Sequence, residues 1–258
     1  ISSIATATAT PTRPAASPSA TGTPSTPPEA SATVSATATV CALRFSDVPY
    51  NDPTIYYAVP VYYLACHGVV SGYSDGTFRP YNQTTRQQMV KIVALGFALP
   101  IQTPPAAGTT FTDVPMASVF FAFVETAAAR GIVSGYACGG TNPATGAPEP
   151  CDGPRRPYFR PASNVTRAQL AKITVLAAGW ATVSPPTATF NDVAVDSTFY
   201  PYIETAVCHS ILSGYSCGSA PGEPCPGLYY RPSNNATRGQ ISKIVYNALN
   251  SGPTCGTR

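Results

Sequence analysis

The sequence predicts a mainly α protein: three helix-loop-helix repeats stacked on one another, preceded by an extended low-complexity arm. Two observations carry this reading. One ordered set of landmarks occurs three times along the chain, and residues 1–40 are almost wholly Ala, Thr, Ser and Pro. Each repeat opens on an aromatic-x-Asp-Val: Phe45 to Val48, Phe111 to Val114 and Phe190 to Val193. A Ser-Gly-Tyr follows at Ser71, Ser134 and Ser213, and then an aromatic-Arg-Pro at Phe78-Arg79-Pro80, Phe159-Arg160-Pro161 and Tyr230-Arg231-Pro232. Each closes with Thr-Arg-x-Gln and an apolar run, beginning at Thr85, Thr166 and Thr237. Units too small to bury separate cores must share one by stacking. The boundaries fall at 41–103, 104–183 and 184–258, after an arm of 1–40.

The arm has Arg13 and Glu29 as its only charges. Such a stretch cannot bury enough apolar surface to offset its chain entropy, so in isolation it is extended. Threonine and serine mixed with proline read as a stalk carrying O-linked glycans. Alternating segments such as Ala5 to Thr10 and Ser31 to Val40 suit an extended strand laid on a neighbouring copy of the chain. The chain starts at Ile1 without a leader, which reads as a mature secreted form with its signal peptide removed.

Within each repeat the first helix is marked by apolar residues at helical spacing: Phe123, Val124, Ala127, Ala128 and Ile132 in unit two, and Tyr202, Ile203, Ala206, Val207 and Ile211 in unit three. Gly68 and Gly131 stand where that helix needs a left-handed C-terminal residue; unit three has Ser210 there, at some cost. The second helix starts at a capping box, Thr85 with Gln88, Thr166 with Gln169 and Thr237 with Gln240. Ile241, Ile244, Val245, Ala248 and Leu249 then fall on one face.

Eight cysteines against two histidines point outside the cell. Cys138 and Cys151 bracket an insertion between the second and third landmarks of unit two, and Cys217 and Cys225 bracket a shorter one in unit three. Unit one has neither insertion nor cysteines there, so each pair is expected to clip its own loop. Cys41, Cys66, Cys208 and Cys255 allow three pairings, of which we favour Cys41 with Cys66 and Cys208 with Cys255. Cys66-His67 and Cys208-His209 lack the CxxC companions and spacing of a zinc site, so no metal and no cofactor is expected.

Net charge is +3 and charged residues are 10% of the chain, with no basic run. Nucleic acid is therefore excluded as the expected partner. No uncharged apolar stretch approaches the roughly 20 residues of a membrane span.

These landmarks resemble the S-layer homology (SLH) family, whose repeat runs from aromatic-x-Asp-Val through Gly-Ile-x-x-Gly-Tyr and Asp-Gly-Thr-Phe-x-Pro to Thr-Arg-Ala-Glu. Gly68 to Pro80 matches it almost residue for residue, and the likeness extends from Phe45 to Asn250. The resemblance implies a pseudo-threefold helical domain with grooves between neighbouring repeats, and attachment to a cell-envelope polysaccharide. Two departures stand out. The family's glutamate is glutamine in all three units (Gln88, Gln169, Gln240), and the cysteine-clipped insertions are placed to cover or reshape two grooves.

Arg86, Arg167 and Arg238 are the foremost glycan-binding candidates. Each opens a helix, where a cation is disfavoured by roughly 0.3–1 kcal/mol, so an anion is expected beside it. The resemblance implies that this arginine meets acidic wall polymer, and a guanidinium next to helix N–H groups suits a carboxylate. The competing reading is an internal tie to Asp47, Asp113 or Asp192, or to a carbonyl of the next unit. Arg79, Arg160 and Arg231 are candidate groove walls. The three aspartates read as turn or cap residues, Lys91, Lys172 and Lys243 as solvated, and Tyr56, Tyr57, Tyr62 and Tyr63 as either sugar platforms or core.

No nucleophile elbow or isolated carboxylate pair supports catalysis. The sequence thus reads as a non-enzymatic extracellular structural protein of SLH type, self-assembling into a glycosylated filament or lattice through its arm. The alternative is an envelope anchor that binds acidic polysaccharide in its grooves.

Overall fold

The computed structural model describes residues 41–102, 109–251 and 255, and the arm lies outside them. The body is mainly helical. Unit one supplies α1 (Ala58–Cys66) and α2 (Arg86–Gly96), unit two α3 (Phe121–Ala129) and α4 (Arg167–Ala177), and unit three α5 (Tyr200–Cys208) and α6 (Arg238–Asn250). The three second helices, α2, α4 and α6, pack on one another around a central axis. Each first helix packs outside, against the second helix of the preceding unit: α3 on α2, α5 on α4, and α1 on α6. The last contact joins the first and last of the described helices and closes a ring.

At the axis the segments just before the second helices meet. Thr84 N donates to Ala236 O, Ala236 N to Val165 O, and Val165 N to Thr84 O, at 3.2, 2.9 and 2.9 Å. This triangle of backbone hydrogen bonds sits on three fully buried side chains. A buried amide must find an acceptor, and here each unit finds it in the preceding one around the ring.

The turns follow the sequence. Gly68, Gly131 and Ser210 all take the left-handed conformation, with φ of 71°, 68° and 57°, and the following amide (Val69, Ile132, Ile211) returns to Leu64 O, Ala127 O and Ala206 O. At each capping box the N-cap amide donates to the glutamine Oε1 (3.0, 3.3 and 3.1 Å), and in units two and three the N-cap hydroxyl accepts from the backbone N–H of the same glutamine. The glycine of Ser-Gly-Tyr is required by packing. A Cβ on Gly135 would meet Phe111 Cε1 at 2.9 Å, and Gly72 and Gly214 face Phe45 and Phe190 in the same way.

Asp47, Asp113 and Asp192 are neither caps nor simple turn residues. Each carboxylate accepts from two consecutive amides of the aromatic-Arg-Pro segment of its own unit, as in Asp113 to Phe159 N and Arg160 N at 2.7 Å each. That clamp holds Arg79, Arg160 and Arg231 at a left-handed φ of 58° that a side chain otherwise resists.

The insertions form small antiparallel hairpins that the sequence pattern did not announce: β1 (Gly140–Thr141) with β2 (Pro148–Glu149), and β3 (Tyr215–Ser216) with β4 (Leu228–Tyr229). The disulfides are Cys41–Cys66, Cys138–Cys151, Cys208–Cys255 and Cys217–Cys225. Among the described residues no helix is long and apolar enough to cross a membrane, and no cluster of potential metal ligands occurs.

Candidate functional site

Each inter-unit groove is assembled by a fixed rule. One unit supplies the Ser-Gly-Tyr loop and the first turns of its second helix, the unit before it supplies the Thr-Arg arginine, and the unit after it supplies an aromatic. The groove on unit two holds Arg86, Tyr136, Gln169, Lys172 and Phe199 around a cavity of about 270 Å³. The groove on unit three holds Arg167, Tyr215, Gln240, Lys243, Tyr56 and Tyr81 around a larger one of about 470 Å³. On unit one the same partners recur, with Arg238 over Tyr73 and Lys91 beside Phe120 and Phe123.

The arginines play two parts. Arg86 Nε donates to Phe159 O at 2.8 Å and Nη2 to Ser134 O at 3.3 Å. Arg167 Nε donates to Tyr230 O, and Arg238 to Phe78 O and Ser71 O, all within 2.7–2.8 Å. Each guanidinium therefore ties its unit to carbonyls of the next, and these partial negative charges offset the helix dipole. Burial pushes the Arg86 and Arg238 guanidinium groups below their ordinary range, yet arginine stays charged in any protein.

The expectation that helix N–H groups assist an anion is corrected. The first two amides of each second helix are already taken by the next unit: Arg86 N and Gln87 N go to Ser163 O and Pro161 O, Arg167 N and Ala168 N to Asn234 O and Pro232 O, and Arg238 N and Gly239 N to Asn82 O and Pro80 O. What stays open to a ligand is side-chain charge. Among the described residues the Arg167 side chain donates only through Nε, and its guanidinium lines the larger cavity.

Arg79, Arg160 and Arg231 do not line either cavity. Each is paired with an acid from the turn or insertion of its own unit: Asp75, Glu149 and Glu223, at 2.7 Å. Each also stacks on the groove tyrosine, with Arg160 3.8 Å from the Tyr136 ring centre and Arg231 4.0 Å from that of Tyr215. Tyr73, Tyr136 and Tyr215 are thus flanked by two guanidinium groups, the second being the Thr-Arg arginine at 5.0–5.2 Å.

The lysines are not simply solvated. Lys172 and Lys243 line the grooves, and their Nζ atoms lie 5.3 and 5.7 Å from the rings of Tyr202 and Tyr56 in the following unit. Tyr57 and Tyr62 are core, whereas Tyr56 is exposed at the mouth of the larger groove. Neither hairpin tip nor disulfide of the insertions contributes to either cavity, so the grooves on units two and three stay uncovered. No carboxylate lines them. Sequence reasoning missed the groove tyrosines, although the threefold Ser-Gly-Tyr was the signal that could have found them.

Comparison with known families agrees with this geometry. The family model described as S-layer homology domain matches residues 44–90 and 110–171, together less than half of the chain. The third unit carries the same landmarks and closes the same ring. No curated protein matches the chain.

Proposed function

We propose that this is a non-enzymatic cell-envelope anchor whose grooves hold an anionic envelope glycan, a reading supported by the match of two of its units to the S-layer homology domain. The observation that carries the reading is the composition of the two cavities. Each combines one arginine, one lysine and a groove tyrosine, with one further aromatic ring in the smaller cavity and two in the larger, without a carboxylate. Aromatic faces suit sugar rings, and cations partly screened from water attract a charged substituent. Because the arginines also join the units, the lysines report on binding more cleanly. Lys172→Gln and Lys243→Gln should leave the helical circular dichroism and the melting temperature unchanged while weakening retention on an acidic polysaccharide severalfold. Equal retention of the variants, or of the carboxyl-reduced polysaccharide, would count against the grooves.

Self-assembly through the arm, with O-linked glycans along it, is a second proposal, supported by the composition of residues 1–40. Removing those residues takes away no part of any repeat and no cysteine. The truncated protein should stay folded and monomeric under conditions where the full chain polymerises, as read by electron microscopy. A truncated body that forms the same polymer would make the arm a passenger.

A further inference from the structure

We infer that Gln169 and Gln240 strengthen the preference of their grooves for an anionic group by fixing the direction of the tyrosine hydroxyl beside them. The inference rests on the reading of the grooves as glycan sites. The orientation of each glutamine amide is not free. A backbone N–H can only donate, so the atom that meets the Thr166 amide at 3.3 Å and the Thr237 amide at 3.1 Å must be the glutamine oxygen. The other end of each side chain is then the NH₂ group, and it lies 2.9 Å from the Tyr136 hydroxyl and 3.0 Å from the Tyr215 hydroxyl. An amide NH₂ can only donate, so each hydroxyl must accept. Its own proton is left over at the wall of the cavity, with no acceptor among the described residues.

A glutamate here, as in the family's Thr-Arg-Ala-Glu, would reverse the wall. Its carboxylate accepts from both sides, so the capping box survives, but the tyrosine must then spend its proton on the acid. The hydroxyl would show lone pairs to the groove, beside a negative charge. With glutamine the groove on unit three presents the Tyr215 proton, the Lys243 ammonium and the free nitrogens of Arg167, and the groove on unit two presents the Tyr136 proton and the Lys172 ammonium. A wall of donors selects a group made only of acceptors: a carboxylate, phosphate or sulfate carried on a sugar. Unit one differs, since Gln88 bonds the Thr85 amide at 3.0 Å but no bond joins it to Tyr73 among the described residues.

The test is a double-mutant cycle in the full chain, read by calorimetry with a hexuronate oligosaccharide and its carboxyl-reduced form. Tyr136→Phe with Tyr215→Phe removes the two protons and keeps the rings. In the parent protein this change should weaken hexuronate binding about tenfold. In a Gln169→Glu, Gln240→Glu background, where the protons are turned inward, it should change binding less than twofold. The glutamate pair alone should weaken binding more than tenfold, with partial recovery as pH falls through about 4.3 and the new acids protonate. Equal losses from the phenylalanines in both backgrounds, or no loss in the parent, would overturn the inference. If Lys172→Gln and Lys243→Gln still weaken binding in that case, the anion-binding groove stands and only the hydroxyl direction fails. If the parent does not bind hexuronate, or binds the carboxyl-reduced form equally well, the ligand class itself is overturned.

Discussion

Thr84 shows how a repeat tolerates a local mismatch. Its hydroxyl is buried at the axis with no hydrogen-bond partner among the described residues, while Val165 and Ala236 hold the equivalent positions. An unsatisfied buried hydroxyl costs about 1–3 kcal/mol, and a methyl group of the same shape removes that cost. Thr84→Val should therefore stabilise the body by about 1 kcal/mol, or roughly 2–4 °C for a domain of this size, by calorimetry. A lower melting temperature would mean that the hydroxyl has a partner after all. At the same scale, Ser210 was legible in the sequence, because the helix before it needs a left-handed residue whatever side chain is present. The roles of Asp47, Asp113 and Asp192 were not. A carboxylate that clamps amides more than thirty residues along the chain leaves no local spacing to read.

The turn between Ser-Gly-Tyr and aromatic-Arg-Pro shows one electrostatic task met by three different elements. In unit one the tight turn supplies Asp75 to Arg79, and in the other units hairpins supply Glu149 to Arg160 and Glu223 to Arg231. The sequence showed that the insertions were clipped, since cysteines and insertion arrive together. It did not show what they deliver, because the pairing acid stands 4, 11 or 8 residues before its arginine. The second helices were read well, as capping boxes and apolar spacing are local, whereas the use of their first amides by the next unit required the ring. A pH dependence follows from the acids. The Thr77 hydroxyl, with Arg79, holds the Asp75 carboxyl down at about 2, and Arg231 lowers that of Glu223. A folded-state value below the unfolded one adds stability that is fully present above the unfolded pKa, about 3.9 for Asp and 4.3 for Glu. It is lost as pH falls through the folded value. The melting temperature should thus be flat above about pH 5 and decline toward pH 2. Asp75→Asn with Glu223→Gln should make that decline shallower, and an unchanged slope would remove these pairs from the acid limb.

At the scale of the whole molecule the ring has one seam. Units one and two, and units two and three, are joined by the chain, but units three and one meet only through side chains and backbone contacts, chiefly α1 on α6. The larger groove spans that seam, with Tyr56 and Tyr81 from one side and Tyr215, Gln240 and Lys243 from the other. The outer disulfides fall on the same two elements. Cys41–Cys66 closes a loop that contains α1, and Cys208–Cys255 closes one that contains α6, with sequence separations of 25 and 47. Terminal segments fray most readily, and closing a loop of this length restricts the opened state by about 3–4 kcal/mol in the chain-entropy model. Replacing both pairs with serine should therefore act unevenly. Amide exchange in α1 and α6 should accelerate at least tenfold, while α4, flanked on both sides by chain-joined units, keeps its protection. If the quadruple variant is too unstable to purify, Cys41→Ser with Cys66→Ser alone should accelerate α1 and its partner α6 together, because the two hold each other. The loss should pass to the groove as well, weakening retention on acidic polysaccharide at the seam without touching any residue that lines it. Uniform acceleration across α1 to α6 would instead mean that the ring opens as a unit, with the disulfides adding stability but no protection specific to the seam.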